Sequence, residues 1–451
     1  MPRLRITLAI AILIVSVRAQ AAPIAPPPDV TRGERYDGRT RAPTSRLYEW
    51  LWVPRAILFV PRLIFDGLLW PVGAGARFVE RHNLQTWVKD ALTSQDGTIG
   101  VRPVLEFATG YRPAFGLTFF DEKLLGPATD FRLTLAGDFS EVITARMQLQ
   151  PTHEHRAVEY LFDARFSRRA DFLFTGIGMV AARSHPDSRY GADLLDVTNQ
   201  VDLLAAAHVR FGLDGDFGLR RFRDGLPNGS DPSITQVYCV RLLASRCVFG
   251  SVDEKQVPGF NQGTQFLQGG VQLTVDTRNR RFTPASGAYL DLGADYAHEL
   301  DGGAGWFHTR GTLVGALDLW QESRVLLFRI TTEAVWPVGS APVPFTELPV
   351  LGGPDALRGV RLGRFRDQSL VLATAEYRWP IWMWMDASLF VDYGGVFGHA
   401  YQGFDLRQMV PGVGGALRLR TTQHFYIRAQ LAYGIGDEGW QASISATTDP
   451  L

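Results

Sequence analysis

From about residue 99 to residue 446, short segments of the chain alternate apolar and polar residues with a period of two. This is the period of a β-strand, whose successive side chains point to opposite faces of the sheet. The clearest set is Phe425, Ile427, Ala429, Leu431 and Tyr433, interleaved with Tyr426, Arg428, Gln430 and Ala432. Charged residues on one face, such as Arg428, would be costly to bury in a solid core, whereas a water-filled lumen removes that cost. The alternation therefore predicts an all-β transmembrane barrel rather than a soluble sandwich.

The spacing of these segments predicts a barrel domain at 96–451. Strands are predicted near 99–109, 112–121, 129–139, 142–150, 157–166, 192–203, 205–222, 264–276, 287–298, 306–319, 323–335, 369–380, 386–397, 412–420, 424–434 and 439–446. That makes about sixteen antiparallel strands, an even number, as in single-chain bacterial barrels. If the first strand rises from the periplasm, the long connections all fall on the outer side, which is typical of outer-membrane barrels. These long connections are 167–191, 223–263, 336–368 and 398–411.

The composition narrows the classes of partner. Lys and Arg total 46 and Asp and Glu total 46, so the formal net charge is zero. A nucleic-acid-binding protein would need a basic surface, so we expect no nucleic acid partner. Aromatic residues make up 12% of the chain and charged residues only 20%, which suits strands that face lipid on one side and a lumen on the other.

The first 21 residues have the composition of a secretory signal peptide. Arg3 and Arg5 precede an apolar run at 6–17, and residues 19–21 (Ala-Gln-Ala) supply a small-x-small cleavage site. The apolar run is shorter than the roughly 20 residues that a membrane-spanning helix needs. We therefore expect residues 1–21 to direct export and the bacterial cell outer membrane to be the final location.

Two further zones precede the barrel. Residues 22–45 are rich in Pro, Arg and Gly and are predicted to form a flexible linker. Residues 46–95 are crowded with Trp, Leu, Ile and Phe, and Pro54, Pro61 and Pro71 divide them into short helical pieces, because proline breaks helix interiors. Such amphipathic, aromatic-rich and basic helices suit a membrane interface. A cap or plug packed against the end of the barrel stays open as the alternative.

Other candidate chemistry is sparse. Cys239 and Cys247 lie in the turn-rich stretch 223–263, and so close a pair in an exported protein favours a loop disulfide. Two thiolates are too few for a closed zinc site. The His-Glu-His sequence at 153–155 lies in a turn, where we expect solvation rather than a metal. No dinucleotide-binding or nucleophile-elbow motif is found, so we expect neither a cofactor nor enzymatic activity.

The sixth predicted outer connection, 336–368, contains a specific motif. Its sequence Leu-Gly-Gly-Pro-Asp-Ala-Leu-Arg-Gly-Val resembles the (V/I)-R-G-(F/Y) loop of the BamA/TamA superfamily of outer-membrane assembly proteins, the bacterial surface antigen family. The motif residues are Gly352, Gly353, Leu357, Arg358, Gly359 and Val360. Val360 stands where that family has an aromatic residue. The resemblance implies that this loop folds back into the lumen and places Arg358 on the barrel wall.

Candidate acceptors for Arg358 lie on the two strands that follow. The sequence Phe-Val-Asp-Tyr-Gly from Phe390 to Gly394 resembles the F-x-D-x-G strand of the same family, and Glu376 matches the family's glutamate on the preceding strand. A guanidinium can fork onto one or two carboxylates in a planar geometry that lysine cannot reproduce. The resemblance therefore implies a lumen lock, by which we mean Arg358 held by Asp392 and Glu376.

The resemblance covers 99–446 and includes a turn at 276–287 similar to the family's periplasmic D-x-R…F-x-P-x-x-G sequence. Family members also carry periplasmic POTRA modules. Residues 22–95 lack a β-α-α-β-β pattern, so we expect a barrel-only member. The chain also ends without the terminal aromatic residue that the family favours.

For function, the resemblance implies insertion or export of proteins, or of lipid-linked substrates, at the outer membrane. The first strand (99–109) and the last (439–446) would form a weak seam that opens sideways, since an unpaired strand edge readily accepts another strand. A partner-dependent pore or anchor barrel without insertase activity is the alternative. The expected partners are outer-membrane lipid and either client outer-membrane proteins or a periplasmic protein, and association of two copies of the chain stays open.

Overall fold

A computed structural model describes residues 91–447, except for eleven short internal gaps, together with Phe59, Leu63 and His82. The gaps are 125–128, 139, 152–156, 227–230, 244–245, 249, 281–283, 321–322, 383–384, 421–425 and 437. The expected signal peptide (1–21), the linker (22–45), most of the segment 46–95 and the His-Glu-His sequence at 153–155 lie outside the described residues. Within the segment 46–95, Phe59 and Leu63 are helical and exposed.

The described residues form twenty strands. Sixteen of them, all antiparallel to their neighbours, close into a barrel, which confirms the predicted fold class. In chain order the strands are β1 (Ile99–Ala108), β2 (Ala114–Asp121), β3 (Thr129–Gly137), β4 (Ile143–Pro151), β5 (Val158–Phe174), β6 (Ser188–Ala206), β7 (Val209–Asp224), β8 (Leu242–Leu243), β9 (Arg246–Cys247), β10 (Thr264–Asp276), β11 (Gly287–Glu299), β12 (Gly305–Trp320), β13 (Arg324–Val338), β14 (Val350–Leu351), β15 (Phe365–Arg366), β16 (Ser369–Trp382), β17 (Met385–Phe397), β18 (Val410–Arg420), β19 (Tyr426–Gly434) and β20 (Gly439–Thr447). The short strands β8 and β9 pair with each other outside the barrel wall, as do β14 and β15.

Between the strands of the barrel, the described helical elements lie in the outer connections. They are α1 (Met179–Ser184), α2 (Ile234–Tyr238) and the 3₁₀ turns Phe345–Glu347, His399–Tyr401 and Leu406–Gln408. In the described part of the chain, no helix is long and apolar enough to cross a membrane.

The period of two in the sequence sorts side chains between the two faces of the wall. On β2, Phe115, Leu117 and Phe119 are exposed on the outside, whereas the intervening Thr118 is buried on the inside. The hydroxyl of Thr118 lies 2.7 Å from that of Thr134 on β3, so the two side chains share a hydrogen bond across the inner face. The outside of the barrel is therefore apolar, and polar groups meet one another within it.

The third outer connection is shorter than the predicted 167–191. Strands β5 and β6 pair from Val158 to Phe174, so the connection between them is only 175–187. A shift of register between Arg169 and Phe172 interrupts the alternation, which is why the sequence pattern ends the strand too early. The adjacent charge of Arg168 is satisfied by Asp193 on β6, 2.6 Å away.

The outer connections pack against one another and form apolar clusters of their own. One cluster joins α1 to the sixth connection and to the outer ends of β16, β17 and β18. A second joins α2 to the outer ends of β5 and β6 and to Phe345 of the sixth connection. Burial of these apolar side chains holds the sixth connection in place and so positions its motif residues.

Candidate functional site: a lumen arginine and the strand seam

The sixth outer connection, 339–368, turns back on itself between β14 and β15. Gly352 and Gly353 have φ angles of 118° and 111°, a conformation that residues with a Cβ rarely adopt. A Cβ on Gly352 would lie 2.3 Å from the carbonyl oxygen of Arg361, so glycine is also required by space. The backbone amide of Gly353 donates to the carbonyl of Val360 at 2.9 Å and closes the turn around Arg358.

Arg358 reaches the barrel wall at two carboxylates. Its Nε and Nη2 donate to the two oxygens of Asp392 on β17 at 2.7 and 2.8 Å, and its backbone amide adds a third hydrogen bond at 3.0 Å. Its Nη1 donates to Glu376 on β16 at 2.7 Å. The structure thus brings together the three residues of the lumen lock. A forked guanidinium–carboxylate pair of this kind is among the stronger polar interactions in proteins.

The surroundings of the lumen lock satisfy its remaining polar groups. The hydroxyl of Thr374 donates to Asp392 at 2.9 Å, and Nε of Arg378 donates to Glu376 at 3.0 Å. The Asp392 side chain is fully buried. Burial alone would lower the pKa of Arg358, but the hydrogen bond to Asp392 and the charge of Glu376 raise it above its ordinary value, so the guanidinium stays charged.

Apolar and aromatic contacts also hold the loop against the barrel wall. The guanidinium carbon of Arg358 lies 3.4 Å from the centre of the Phe390 ring, within the range of a cation–π contact. Leu357 and Val360, on either side of the Arg358-Gly359 pair, are buried in the cluster that also contains Phe365. Val360, in the position where an aromatic residue was expected, is thus an interior packing residue.

Three glycines allow the loop to lie directly on the wall. The carbonyl oxygen of Arg358 is 2.0 Å from where a Cβ on Gly412 would stand, and that of Gly359 is 2.2 Å from a Cβ on Gly434. Gly359 itself has a φ of 89°. The sequence analysis did not assign Gly412 and Gly434 to this site. The feature that could have pointed to them is the presence of glycine at these positions of β18 and β19, where the loop lies against the inner face of the wall.

Gly394, the other family position on β17, has a related role. A Cβ on Gly394 would lie 3.0 Å from Leu351 of the loop and 3.1 Å from Leu372 of β16. A methyl group there would push against the apolar cluster that holds the loop.

A second group of arginines in the same loop was also missed by the sequence analysis. Nη1 of Arg361 and Nη1 of Arg364 each lie 2.6 Å from an oxygen of Asp187 in the third outer connection. Nε of Arg364 lies 2.5 Å from Glu438, in the connection between β19 and β20. Burial alone would lower the pKa of Arg361, but the charges of Asp187 and Glu438 raise it. Besides the lumen lock, the loop is therefore tied by charge to two neighbouring outer connections.

The barrel closes where β1 meets β20. Within the described residues, β20 pairs with β1 only from Leu105 to Ala108, whereas β2 pairs with β1 from Ile99 to Glu106. At the inner end of β1, Gly100 forms an antiparallel β-bridge with Thr93, which precedes the strand. As far as the structure describes the chain, β20 thus closes the outer half of the seam, and the inner end of β1 pairs with Thr93 instead.

Below the loop lies a polar cavity of about 950 Å³. Its walls include Arg358 and Glu376 of the lumen lock and, from the inner turn, Asp276, Arg278, Asn279 and Arg280. Arg278 in this turn pairs with Asp276 at 2.7 Å and lies 4.3 Å from the centre of the Tyr289 ring. The turn therefore folds under the lumen, although its residues 281–283 lie outside the described part of the chain.

The two cysteines of the fourth outer connection are joined by a disulfide between Cys239 and Cys247. The bond closes the short hairpin of β8 and β9. Val240, next to Cys239, is 68% exposed. The disulfide lies far from the lumen lock in the chain, and a bond of this kind stabilises a fold mainly by restricting the unfolded chain.

One protein family and several solved structures are similar to this chain. The Omp85 superfamily domain matches residues 105–447, more than half of the 451-residue chain. BamA from Haemophilus ducreyi lacking POTRA domains 1-3 has a similar structure, with a TM-score of 0.52 and 12% identity over 78% of this chain and 70% of that chain. This likeness shows the fold. Among curated proteins, no significant match is found.

Two CdiB structures give lower scores. CdiB from Acinetobacter baumannii has a TM-score of 0.48 and 13% identity, over 77% of this chain and 59% of that chain. CdiB from Escherichia coli has a TM-score of 0.47 and 11% identity, over 77% of this chain and 63% of that chain. This chain spans less than two thirds of the length of either.

Proposed function

Because the chain belongs to the Omp85 superfamily, we propose that it is a bacterial outer-membrane barrel that inserts proteins into that membrane, or exports them across it, through the seam between β1 and β20. The observation that carries this proposal is the short overlap of the two strands, which within the described part of the chain pair from Leu105 to Ala108 on β1. An unpaired strand edge offers backbone donors and acceptors to any extended segment that approaches it. Separating β1 from β20 breaks fewer backbone hydrogen bonds than separating a fully paired pair of wall strands, so it costs less free energy.

The lumen lock supports the same proposal. Arg358 fixes the sixth outer connection to β16 and β17, on the side of the lumen that leads to the seam through β18 and β19. A firmly seated loop keeps these strands in register while the seam opens. We therefore assign the lumen lock a structural role in transport and no catalytic step.

The sharpest test is to close the seam covalently. Phe107 and Ile444 face each other across the seam, so cysteines at both positions are close enough for a disulfide. The oxidised barrel, reconstituted in liposomes, should fail to insert an unfolded small barrel client, and a reductant should restore insertion. Cysteines at Leu117 and Leu135, which face each other between β2 and β3, provide the matched control and should leave insertion unchanged. Equal insertion by the oxidised and reduced seam variants would refute the proposal.

A second candidate is a pore or anchor that depends on a periplasmic partner. The polar cavity of about 950 Å³ supports it, because a hydrated lumen is what a conducting barrel needs. The liposome assay separates the two candidates. Ion conductance without client insertion, in the barrel with its native seam, would favour the pore over the insertase.

A further inference from the structure

The segment from Arg361 to Arg364 lies across the outer end of the seam. On the β20 side, Nε of Arg364 is 2.5 Å from Glu438, and Nε of Arg361 is 3.5 Å from the other oxygen of the same carboxylate. Glu438 directly precedes Gly439, the first residue of β20, and only 5% of its side chain is exposed. The carboxylate that directly precedes the last strand is therefore held by two arginines of the sixth outer connection.

The same segment also contacts the β1 side. Tyr111, in the turn that follows β1, donates its hydroxyl hydrogen to the carbonyl of Leu362. Tyr111 is buried, so this hydrogen bond is shielded from water. Beside it, Thr109 exchanges hydrogen bonds with Ala442 of β20, its backbone amide donating at 3.0 Å and its hydroxyl accepting at 2.8 Å. The two strands of the seam are thus joined directly and also through one loop segment.

A third contact fixes the segment from outside the seam. Asp187, in the third outer connection, accepts from both Arg361 and Arg364 at 2.6 Å. Arginine suits this position because its planar guanidinium can contact two carboxylates at once, which the single ammonium of lysine does less well. Two guanidinium and two carboxylate groups balance in charge, so the group is satisfied without solvent ions.

We propose that Arg361, Leu362 and Arg364 form a seam clamp that binds Glu438 on one side and Tyr111 on the other, and that these five are positioning residues for seam opening. The inference rests on the proposed function, since a seam that never opens needs no clamp. The clamp holds the outer end of the seam closed, whereas at the inner end β1 is bridged by Thr93 and, within the described residues, not by β20. Its position is separate from the lumen lock, which contacts β16 and β17.

The test is hydrogen–deuterium exchange of the purified barrel in detergent micelles, without any client. Glu438→Gln keeps the size of the side chain and removes its charge. We expect exchange of backbone amides in β1 and β20 to rise roughly tenfold, since one partner of a buried charged group is lost, while exchange in β10 to β13 stays unchanged. Glu347→Gln is the matched control, because it removes an ion pair of the same loop with Arg220 of β7, away from the seam.

Tyr111→Phe is a milder variant that removes a single hydroxyl. It should raise exchange in β1 and β20 by a smaller factor, and it keeps the test available if Glu438→Gln does not fold. No rise at the seam in either variant would overturn the clamp, as would an equal rise at the seam in Glu347→Gln.

The outcome is independent of the insertion assay, because no client is present. A clamp that fails the exchange test leaves the proposed function standing. A barrel that passes the exchange test and still inserts nothing loses the proposed function instead, and the clamp then only stabilises the closure of the barrel.

Discussion

Arg358 and Asp392 are joined by three hydrogen bonds, two from the guanidinium and one from the backbone amide of Arg358. The backbone contact matters because it fixes the peptide of the loop as well as the end of a long side chain. With Asp392 fully buried, the pair behaves as an interior ion pair rather than as a screened surface pair. The buried ion pair between Arg358 and Asp392 therefore anchors the loop to β17.

The first prediction concerns the anchor itself. Arg358→Ala leaves Asp392 buried and uncompensated, which should cost about 3–5 kcal/mol of stability at this point. We expect residues 339–368 to become sensitive to protease while the barrel stays heat-modifiable on gels. Arg358→Lys is the matched comparison and should be intermediate, because it keeps the charge and loses the fork. Unchanged loop proteolysis in Arg358→Ala would show that the apolar cluster alone seats the loop.

A second prediction tests the close approach of the loop to the wall. Gly434→Ala would place a Cβ 2.2 Å from the carbonyl oxygen of Gly359, so the loop must move away from β19. We expect increased proteolysis of the loop, as with Arg358→Ala, even though every charged partner is retained. Gly315→Ala on β12 is the control, because a Cβ there meets nothing within 4 Å. Equal behaviour of the two variants would contradict the contact.

The sequence led to Arg358 because its motif is local, and to the barrel because alternation repeats over sixteen strands. The match to the Omp85 superfamily domain confirms the resemblance on which the lock was inferred. Alternation failed at β5, where the register shift between Arg169 and Phe172 reverses the pattern. The pairing of Arg364 with Glu438 joins residues 74 apart in two loops with no motif, so only the folded chain reveals it.

The third prediction concerns topology. The disulfide between Cys239 and Cys247 lies in the fourth outer connection, beside the exposed Val240. An impermeant maleimide should therefore label intact cells only after mild reduction, because the chain has no cysteines other than these two. A Cys239→Ser, Cys247→Ser variant is the control for labelling of other proteins. Labelling that also requires a permeabilised outer membrane would place this connection on the periplasmic side and overturn the strand orientation.

The last prediction separates the two carboxylates of the lumen lock. Asp392 accepts three hydrogen bonds from Arg358 and does not line the polar cavity, whereas Glu376 accepts one and borders that cavity. Water in the cavity can solvate the glutamine of Glu376→Gln, whereas the Asp392 side chain is fully buried, so the asparagine of Asp392→Asn stays shielded from that water.

We therefore expect Asp392→Asn to cost about 3–5 kcal/mol and Glu376→Gln about 1–2 kcal/mol, the latter reduced by solvation. The measurement is the protease concentration that cleaves half of the loop in each variant, with Arg358→Ala as the common reference. Combining Asp392→Asn with Arg358→Ala should add little to Arg358→Ala alone, because the two residues act as one pair. Strictly additive effects of Arg358→Ala and Asp392→Asn would show that the two residues do not act as one pair. A larger effect of Glu376→Gln than of Asp392→Asn would place the anchor of the loop at β16 instead of β17.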